Sequence, residues 1–183
     1  AADADWIESP ERVFPVSIDP TVIDYTGKTG IKGAVCSERH NFTRPDGKVA
    51  CGNNSDHGQM DLYFTFPILP TIPKGHSVVN AMAGFQHIDF YSGTDSRTGK
   101  IVLYLHKLID SWSGDNSITW ETHPRHDPTI LDYVVADFST LDDILLWDIT
   151  PAAKSWYAGE PNYGLYMTSN AHSRQKLMQW RMQ

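Results

Sequence analysis

The segment from 107 to 128, KLIDSWSGDNSITWETHPRHDP, brings many chemically capable side chains close together. It contains two tryptophans, two histidines, three aspartates and one glutamate, and apolar runs flank it. Indole rings can stack on sugars, whereas carboxylates and imidazoles can hold a metal or transfer a proton. Four interpretations therefore compete: an active site, a metal site, a carbohydrate platform, or a connection between two strands.

Metal binding in this segment would depend on His123, His126 and Asp127 in THPRHDP. Prolines keep these residues in a loop, and the zinc-binding pattern H-E-x-x-H does not occur in the sequence. The stretch NNSDHG at 53–58 resembles a calcium loop only if Asn, Ser and His replace carboxylates, which leaves too little charge. It is better interpreted as a turn. The sequence leaves metal binding undecided and predicts no cofactor.

Enzyme motifs are scarce. The sequence contains neither the nucleophile turn G-x-S-x-G nor the phosphate loop G-x-x-x-x-G-K. A glycosidase pair could be built from Asp142 with Asp143, or from Asp110 with Asp115, but its two carboxyl groups must lie about 5 to 10 Å apart in a cleft. Acidic residues at strand ends are ordinarily solvated. We therefore predict that the chain is not an enzyme.

Charge argues against a nucleic-acid partner, and hydropathy argues against a membrane span. The chain has 183 residues, a net charge of −7 and scattered Lys and Arg, so no basic surface is expected to follow a nucleic acid. The longest apolar runs, such as ILLW at 144–147, fall far short of the roughly 20 residues that cross a bilayer. The chain begins AADADW without methionine, and we expect it to be a processed or excised piece of a longer protein.

Short runs of alternating apolar residues predict strands. In DLYFTFPI at 61–68, apolar residues on one face alternate with Tyr63 and Thr65 on the other. KIVLYLHKLI at 100–109 is apolar on both faces, as expected for a central strand that is covered on each side. Further strands are predicted at 77–91, 142–150, 163–170 and 175–183. The spacing predicts an all-β fold, an antiparallel β-sandwich, with one module over 1–183.

One segment predicts a short helix between strands. Thr150 can cap its first turn, and Pro151 suits the first helical position. AAKSWYA supplies good helix formers, and Gly159 stands where a left-handed terminating residue belongs. We predict a helix of two turns.

Cys36 and Cys51 bound a polar, turn-rich segment, the Cys-bounded loop 36–51. In a secreted protein the two cysteines would form a disulfide, which stabilises a loop of this size by about 3 kcal/mol. Two free thiols are the alternative, and they would be typical of a cytosolic protein. The bonded pair is our prediction.

Five stretches occur in a specific order and at specific distances: FPVSIDPT (14–21), DLYFTFPILPTIPKG (61–75), SVVNAMAGF (77–85), LIDSWSGDNSITWETHP (108–124) and LLWDITPAAKSWYAGEPNYGLYM (145–167). Together they resemble the DNRLRE domain, a family that overlaps carbohydrate-binding module family 96. The resemblance covers about residues 13 to 170 and leaves 1–13 as an N-terminal extension. Two departures are Met60, where the family commonly has arginine, and a longer segment between the cysteines.

The resemblance implies a non-catalytic, jelly-roll-like sandwich from a secreted or cell-surface bacterial protein. FPVSIDPT is most similar to members that stand beside RHS or YD repeats in wall-associated and toxin-delivery proteins. The implied partners are a polysaccharide or cell-wall glycan and the neighbouring domains of a larger parent protein. The alternative is a structural spacer, or a processed fragment of an RHS-type protein, with no ligand of its own. An enzyme that acts on polysaccharide ranks third.

The resemblance also interprets 107–128 as a strand connection. Its tryptophans belong to a W…TW…P segment whose indoles pack against the sandwich. Burying one such ring removes roughly 150 to 250 Å² from water, more than an exposed role could easily offset. We therefore expect four tryptophans to be mostly buried: Trp112, Trp120, Trp147 and Trp156.

A ligand surface is predicted at YAGEPNYG, 157–164, where the chain leaves the helix. Tyr157 and Tyr163 bracket Glu160 and Asn162, which places two rings and two hydrogen-bonding groups within one turn. Rings and polar groups of this kind can stack on and orient a sugar unit. The alternative is that both tyrosines seal the sandwich edge while Glu160 and Asn162 face water.

Overall fold

The computed structural model describes residues 32–39, 41–42, 48–54, 56–91, 99–115, 117–170 and 175–181. The predicted N-terminal extension and the FPVSIDPT stretch lie outside these residues. The described elements are β1 (Lys32–Ser37), β2 (Asn41–Phe42), β3 (Lys48–Asn54), β4 (Gly58–Thr65), β5 (Met82–Tyr91), β6 (Lys100–Leu108), β7 (His126–Asp137), a 3₁₀ turn (Phe138–Thr140), β8 (Ile144–Asp148), α1 (Thr150–Tyr157), β9 (Leu165–Ser169) and β10 (Gln175–Arg181).

Strand β4 connects the two parts of the sheet, because its two ends pair with different strands. Its first residues pair with β3, its later residues pair with β9, and β1 lies along its other edge. From β4 the sheet continues through β9 and β6 to β7 in one direction, and through β3, β10 and β5 to β8 in the other. All of these pairs are antiparallel. The prediction of an all-β antiparallel sandwich with one short helix is confirmed.

An inner core is filled by apolar side chains from strands on both sides of β4 in the sheet order. Trp147 of β8 is fully buried there, and its Nε1 donates to the carbonyl of Leu103 on β6 at 3.3 Å. Its ring meets that of Phe85 edge-on, with centroids 5.8 Å apart. Trp156 adds the buried face of α1 to the same core. Both tryptophans are buried, as predicted.

A second apolar group, the outer cluster, lies on the opposite face of β1, β4 and β9. It consists of buried Ala34, Cys36, Tyr63, Leu108, Ile118 and Tyr166, with Trp112, Trp120 and Tyr163 packed against it and half-buried. Successive side chains of a strand point to opposite faces, so Leu62 and Phe64 enter the inner core while Tyr63 enters the outer cluster. Residues 109–125, the covering connection, supply Trp112, Ile118 and Trp120 to this cluster. The segment therefore connects β6 to β7, as predicted, and its tryptophans are intermediate in burial, less buried than Trp147 and Trp156.

The sequence patterns predict β4, β5, β6, β8, β9 and β10, each to within about five residues. They miss β1, β2 and β3, because the predicted Cys-bounded loop 36–51 contains β2 and parts of β1 and β3, and they also miss β7. This strand of twelve residues contains Pro128, together with Asp127 and Asp132, which break the apolar alternation. Pairing with β6 along most of its length makes it a strand. A proline is tolerated because β7 is the last strand of the sheet formed by the described residues, and among those residues one row of its amide groups has no strand partner.

Helix α1 forms as predicted, but its start is capped differently. Ile149 is the N-cap residue, and Pro151 occupies the first turn. The carboxylate of Asp148 accepts from the Thr150 amide at 2.8 Å. The Thr150 hydroxyl, which the sequence predicts as the cap, instead accepts from the amide of Ala81 at 2.9 Å. Across the described residues, no helix is long and apolar enough to cross a bilayer.

Candidate functional site

Tyr157 is the last residue of α1 and the first residue of the predicted ligand surface. Gly159 follows with a φ of +103°, a backbone conformation that suits glycine and ends the helix. The side chain of Tyr157 is 39% exposed. Its hydroxyl donates to the carbonyl of Pro70. The ring is therefore held in place while part of it faces solvent.

Glu160 is exposed and forms an ion pair with Lys107 of β6, with 2.7 Å between the carboxylate and Nζ. The hydrogen bond from Lys107 lowers the pKa of the Glu160 carboxyl. Lys107 also donates to the hydroxyl of Ser155 at 3.4 Å. The ion pair links β6 to the turn after the helix, and each of the two charged groups faces the opposite charge of the other.

Asn162 and Tyr163 hold the turn to the rest of the sandwich. Asn162 Nδ2 donates to the carbonyl of Phe66 at 2.9 Å, and its Oδ1 accepts from the amide of Gly164 at 3.1 Å. The carbonyl of Tyr163 accepts from Trp112 Nε1 at 2.9 Å, and its half-buried ring packs against the outer cluster. Both residues thus have structural partners.

The four predicted residues do not form one cluster of outward-facing groups. Tyr157 and Glu160 are exposed, whereas Asn162 and Tyr163 are half-buried. Tyr163 and Glu160 fit the alternative in which both tyrosines seal the sandwich edge while Glu160 and Asn162 face water, whereas exposed Tyr157 and half-buried Asn162 do not. A role of these four residues in ligand binding stays a prediction.

Asp61 is a buried carboxylate on β4 that the sequence analysis does not single out. Three neutral groups donate to it: Tyr166 Oη at 2.7 Å, Thr168 Oγ1 at 2.8 Å and Gln59 Nε2 at 3.0 Å. Burial raises the pKa of the Asp61 carboxyl, and the hydrogen bonds from these donors oppose the rise. A single acidic residue within an apolar strand, MDLYF, is the sequence signal that could have identified it.

Histidine and tyrosine rings stack beside Asp61. The His126 ring stacks on Tyr166 with centroids 4.3 Å apart and an interplanar angle of 22°, and His106 meets His126 edge-on at 5.0 Å. His123 stacks on Tyr63 at 5.4 Å. Burial, and next the charge of His106, lower the pKa of His126. These contacts give the histidines of the 107–128 segment a packing role.

The metal site suggested by His123, His126 and Asp127 is not assembled. Within the residues that the structure describes, no group of three His, Cys, Asp or Glu side chains is arranged to hold a metal ion. The Asp127 carboxylate accepts from the amide of Thr129 at 2.8 Å. At the 53–58 stretch, Asn54 Oδ1 accepts from the amides of Asp56 and His57, which is the bonding of a tight turn.

The predicted disulfide is wrong: Cys36 and Cys51 are buried free thiols. Cys36 lies on β1 and Cys51 on β3, and these strands lie on opposite sides of β4. Two strand spacings separate such positions by about 9 to 10 Å, beyond the roughly 7 Å that a disulfide can bridge. The two side chains also enter different clusters, Cys36 the outer cluster and Cys51 the inner core. Burial raises the pKa of the Cys36 thiol to about 12.

Two further tyrosines, Tyr104 of β6 and Tyr133 of β7, are paired directly across their strands. Their ring centroids are 6.3 Å apart, and Tyr133 is 59% exposed. The sequence predicts that both faces of β6 are covered, but Val102 and Tyr104 are only half-buried. Sequence analysis misses this surface because it does not predict β7, which brings Tyr133 next to Tyr104.

Comparisons with known proteins identify one family and several distant relatives. The model of carbohydrate-binding module family 96 matches residues 37–180. The tRNA nuclease WapA of Bacillus subtilis (strain 168) is 26% identical over 188 residues. The tRNA3(Ser)-specific nuclease WapA of Bacillus spizizenii is 27% identical over 183 residues. Each alignment covers 95% of this chain but 7% of the relative, so the chain spans a small part of their length. No solved structure matches the chain significantly.

Proposed function

The chain belongs to carbohydrate-binding module family 96, and from that membership we propose that it is a non-catalytic module that binds polysaccharide. The observation that carries the proposal is the extent of the family match, which includes every strand from β2 to β9. A β-sandwich with tyrosines on its surface can supply the rings that stack on sugars. The parent protein is proposed to be secreted or attached to a cell surface, where such polysaccharides occur.

We propose that the nuclease activity named for the WapA proteins lies outside the part that matches this chain. The matching part is 7% of each relative. A net charge of −7 would repel the phosphate backbone of tRNA, because nucleic-acid binding depends on basic side chains that replace counterions. Purified chain incubated with total tRNA is expected to leave the RNA intact and the electrophoretic mobility of the RNA unchanged.

Binding can be tested by affinity electrophoresis and calorimetry against neutral and anionic polysaccharides. We expect at least one polysaccharide to retard the chain in a native gel and to produce saturable heat. The same polysaccharides should show no new reducing ends after long incubation, because the proposed role is non-catalytic. Bovine serum albumin, another acidic protein, serves as the control for nonspecific retardation. Absence of binding to every polysaccharide would reject the proposal.

A structural spacer is the second candidate function. It is favoured by the observation that the alignments cover 95% of the chain while spanning 7% of the much longer relatives. A single β-sandwich within a long chain can separate or present other domains without any ligand. The binding experiment distinguishes the two candidates, since a spacer would migrate unchanged in every polysaccharide gel.

A further inference from the structure

We propose that the covering connection, residues 109–125, opens away from the sheet in mildly acidic solution, when the imidazole of His126 takes up a proton. Opening brings the outer cluster into contact with water while the inner core stays closed. The proposal concerns a conformational change and goes beyond polysaccharide binding, on which it does not depend.

The two ends of the covering connection are tied to each other. The guanidinium of Arg125 donates to both carboxylate oxygens of Asp110, at 2.8 and 2.9 Å, and the Arg125 amide donates to the same carboxylate at 3.1 Å. The amide of Ile109 donates to the carbonyl of Arg125 at 3.0 Å. Because the ends are held together, the residues between them can leave the sheet as one loop while β6 and β7 stay paired.

Several polar bonds lie within the loop itself. The carboxylate of Asp115 accepts from the hydroxyl of Ser113 and from the amide of Ser117, the latter at 2.9 Å. The hydroxyl of Thr119 accepts from the amide of Thr122 at 3.0 Å. These bonds join residues that move together, so opening does not have to break them.

Packing and one hydrogen bond from an indole attach the loop to the sheet. Trp112 Nε1 donates to the carbonyl of Tyr163 at 2.9 Å. Ile118 is buried in the outer cluster, and the ring of His123 stacks on Tyr63 with centroids 5.4 Å apart. The outer cluster is smaller than the inner core, so a charge placed beside it can decide whether these contacts hold.

His126 is the residue that can acquire such a charge. It follows Arg125 as the first residue of β7, and its ring stacks on Tyr166 with centroids 4.3 Å apart, while His106 meets it edge-on at 5.0 Å. Burial, and next the charges of His106 and His123, lower the pKa of His126. The closed form therefore favours the neutral imidazole, whereas the released side chain regains the ordinary pKa of about 6.5.

Negative charges near His126 reduce this effect without cancelling it. Asp61 of β4 and the adjoining Asp127 raise the pKa of His126, but by less than burial and the two histidines lower it. Asp61 already accepts from three neutral donors, and Asp127 accepts from the amide of Thr129 at 2.8 Å. Tyr166, which faces the ring, stays uncharged because burial raises its pKa. Both nearby carboxylates are thus engaged when His126 takes up its proton.

The direction of the pH effect follows from linkage. Because the pKa of His126 is lower in the closed form, its contribution to closure is fully present above about pH 6.5 and is lost as pH falls through the closed-form pKa. The raised pKa of Asp61 acts in the opposite direction, since it favours the neutral acid in the fold. A variant that lacks only the His126 titration is therefore needed for comparison.

The two thiols report opening and global unfolding separately, because Cys36 lies in the outer cluster and Cys51 in the inner core. 4,4′-Dithiodipyridine labels accessible thiols in acidic as well as neutral solution, and glutathione at each pH gives the intrinsic reactivity. Relative to glutathione, Cys36 labelling should rise at least about threefold from pH 7.5 to pH 5, while Cys51 stays unlabelled. Hydrogen exchange of peptides within 117–125, corrected for its intrinsic pH dependence, should rise by a similar factor.

Three variants identify the responsible group. His126→Phe keeps a ring that can stack on Tyr166 but cannot take up a proton, so its Cys36 labelling should be the same at both pH values. His126→Gln should also abolish the pH response, and it serves if the phenylalanine variant does not open at all. His76→Gln is the matched control, because His76 is exposed in the connection before β5 and its loss should leave the wild-type response intact. Thermal melts at both pH values show whether each variant is folded.

Different results overturn different parts of the proposal. Wild-type labelling of Cys36 that does not change between the two pH values would reject acid opening. Labelling of Cys51 as fast as that of Cys36 would show that acid unfolds the whole domain. A pH response that survives in both His126 variants, or that disappears in His76→Gln, would show that His126 is not the responsible group.

Discussion

Asp61 is a buried carboxylate whose ionisation is subject to opposing effects. It is 4% exposed, and loss of water raises its pKa because the charged form is poorly solvated. Tyr166, Thr168 and Gln59 donate hydrogen bonds that stabilise the charged form and lower the pKa. Burial is the larger effect, so the neutral acid is favoured in the fold more than in the unfolded chain.

The pH dependence of unfolding should reveal this shift. Because the folded pKa of Asp61 is raised, its contribution to stability is fully present below the unfolded pKa of about 3.9 and is lost as pH rises through the folded pKa. The free energy of unfolding of wild type minus that of Asp61→Asn should therefore fall with rising pH above about 4 and then level off. Urea denaturation of both proteins from pH 4 to pH 8 measures the difference. A difference that grows with pH would show that the hydrogen bonds outweigh burial.

The turn that joins α1 to β9 is held against the end of β4. Gly164 has a φ of +97°, and its amide and carbonyl bond to Asn162 Oδ1 and the Leu108 amide respectively. A Cβ at this position would overlap the carbonyl oxygen of Phe64 and lie 2.9 Å from Thr65 Cα. Glycine is therefore required here by contact as well as by conformation.

Gly159, in the same turn, shares the positive φ of Gly164 but not its close contact with β4, so the two glycines allow the conformational and contact requirements to be measured separately. Its φ is +103°, but no atom lies within 4 Å of an added Cβ. Gly159→Ala should cost about 1 to 2 kcal/mol of unfolding free energy, from backbone strain alone. Gly164→Ala should cost roughly 1 to 3 kcal/mol more, because the backbone of β4 cannot yield as a side chain can. Equilibrium urea denaturation compares the two variants with wild type. Equal losses would indicate that the turn moves away from β4 without cost.

The molecule as a whole has apolar side chains on both faces of β4, β9 and the adjoining strands. The inner core joins the two directions of the sheet, and Trp147 links β8 to β6 within it. Strands β7 and β8 also approach each other, where Asp132 accepts from the amide of Asp148 at 2.8 Å. The outer cluster is a smaller layer between the sheet and the covering connection. The inner core should therefore contribute more to global stability.

Two tryptophan variants test whether the inner core contributes more than the outer cluster to the free energy of unfolding. Trp147→Ala should lower the free energy of unfolding by about 3 to 5 kcal/mol, through lost burial and a cavity that the surrounding strands cannot fill. Trp120→Ala removes a half-buried ring from the margin of the outer cluster and should cost less than about 2 kcal/mol. Urea denaturation monitored by far-UV circular dichroism measures both. A loss for Trp120→Ala as large as that for Trp147→Ala would mean that the covering connection is part of the main cooperative unit.

The amino-acid sequence suffices to predict most of the strands and the helix. Apolar alternation in DLYFTFPI predicts β4, and Pro151 with Gly159 predicts both ends of α1. These signals are local, because backbone alternation and helix ends depend on neighbouring residues. The five ordered stretches also indicate the family that the comparison then matches over 37–180.

Contacts between distant parts of the chain determine the remaining features. Cys36 and Cys51 are fifteen positions apart in sequence, yet β4 separates them in space. Asn162 resembles a free polar group in the sequence, but the carbonyl of Phe66 lies within its reach. Tyr104 and Tyr133 become neighbours only through the β6–β7 register. Pairing of strands sets which side chains meet, and the alternation of residues within one strand predicts its two faces but not its neighbours in the sheet.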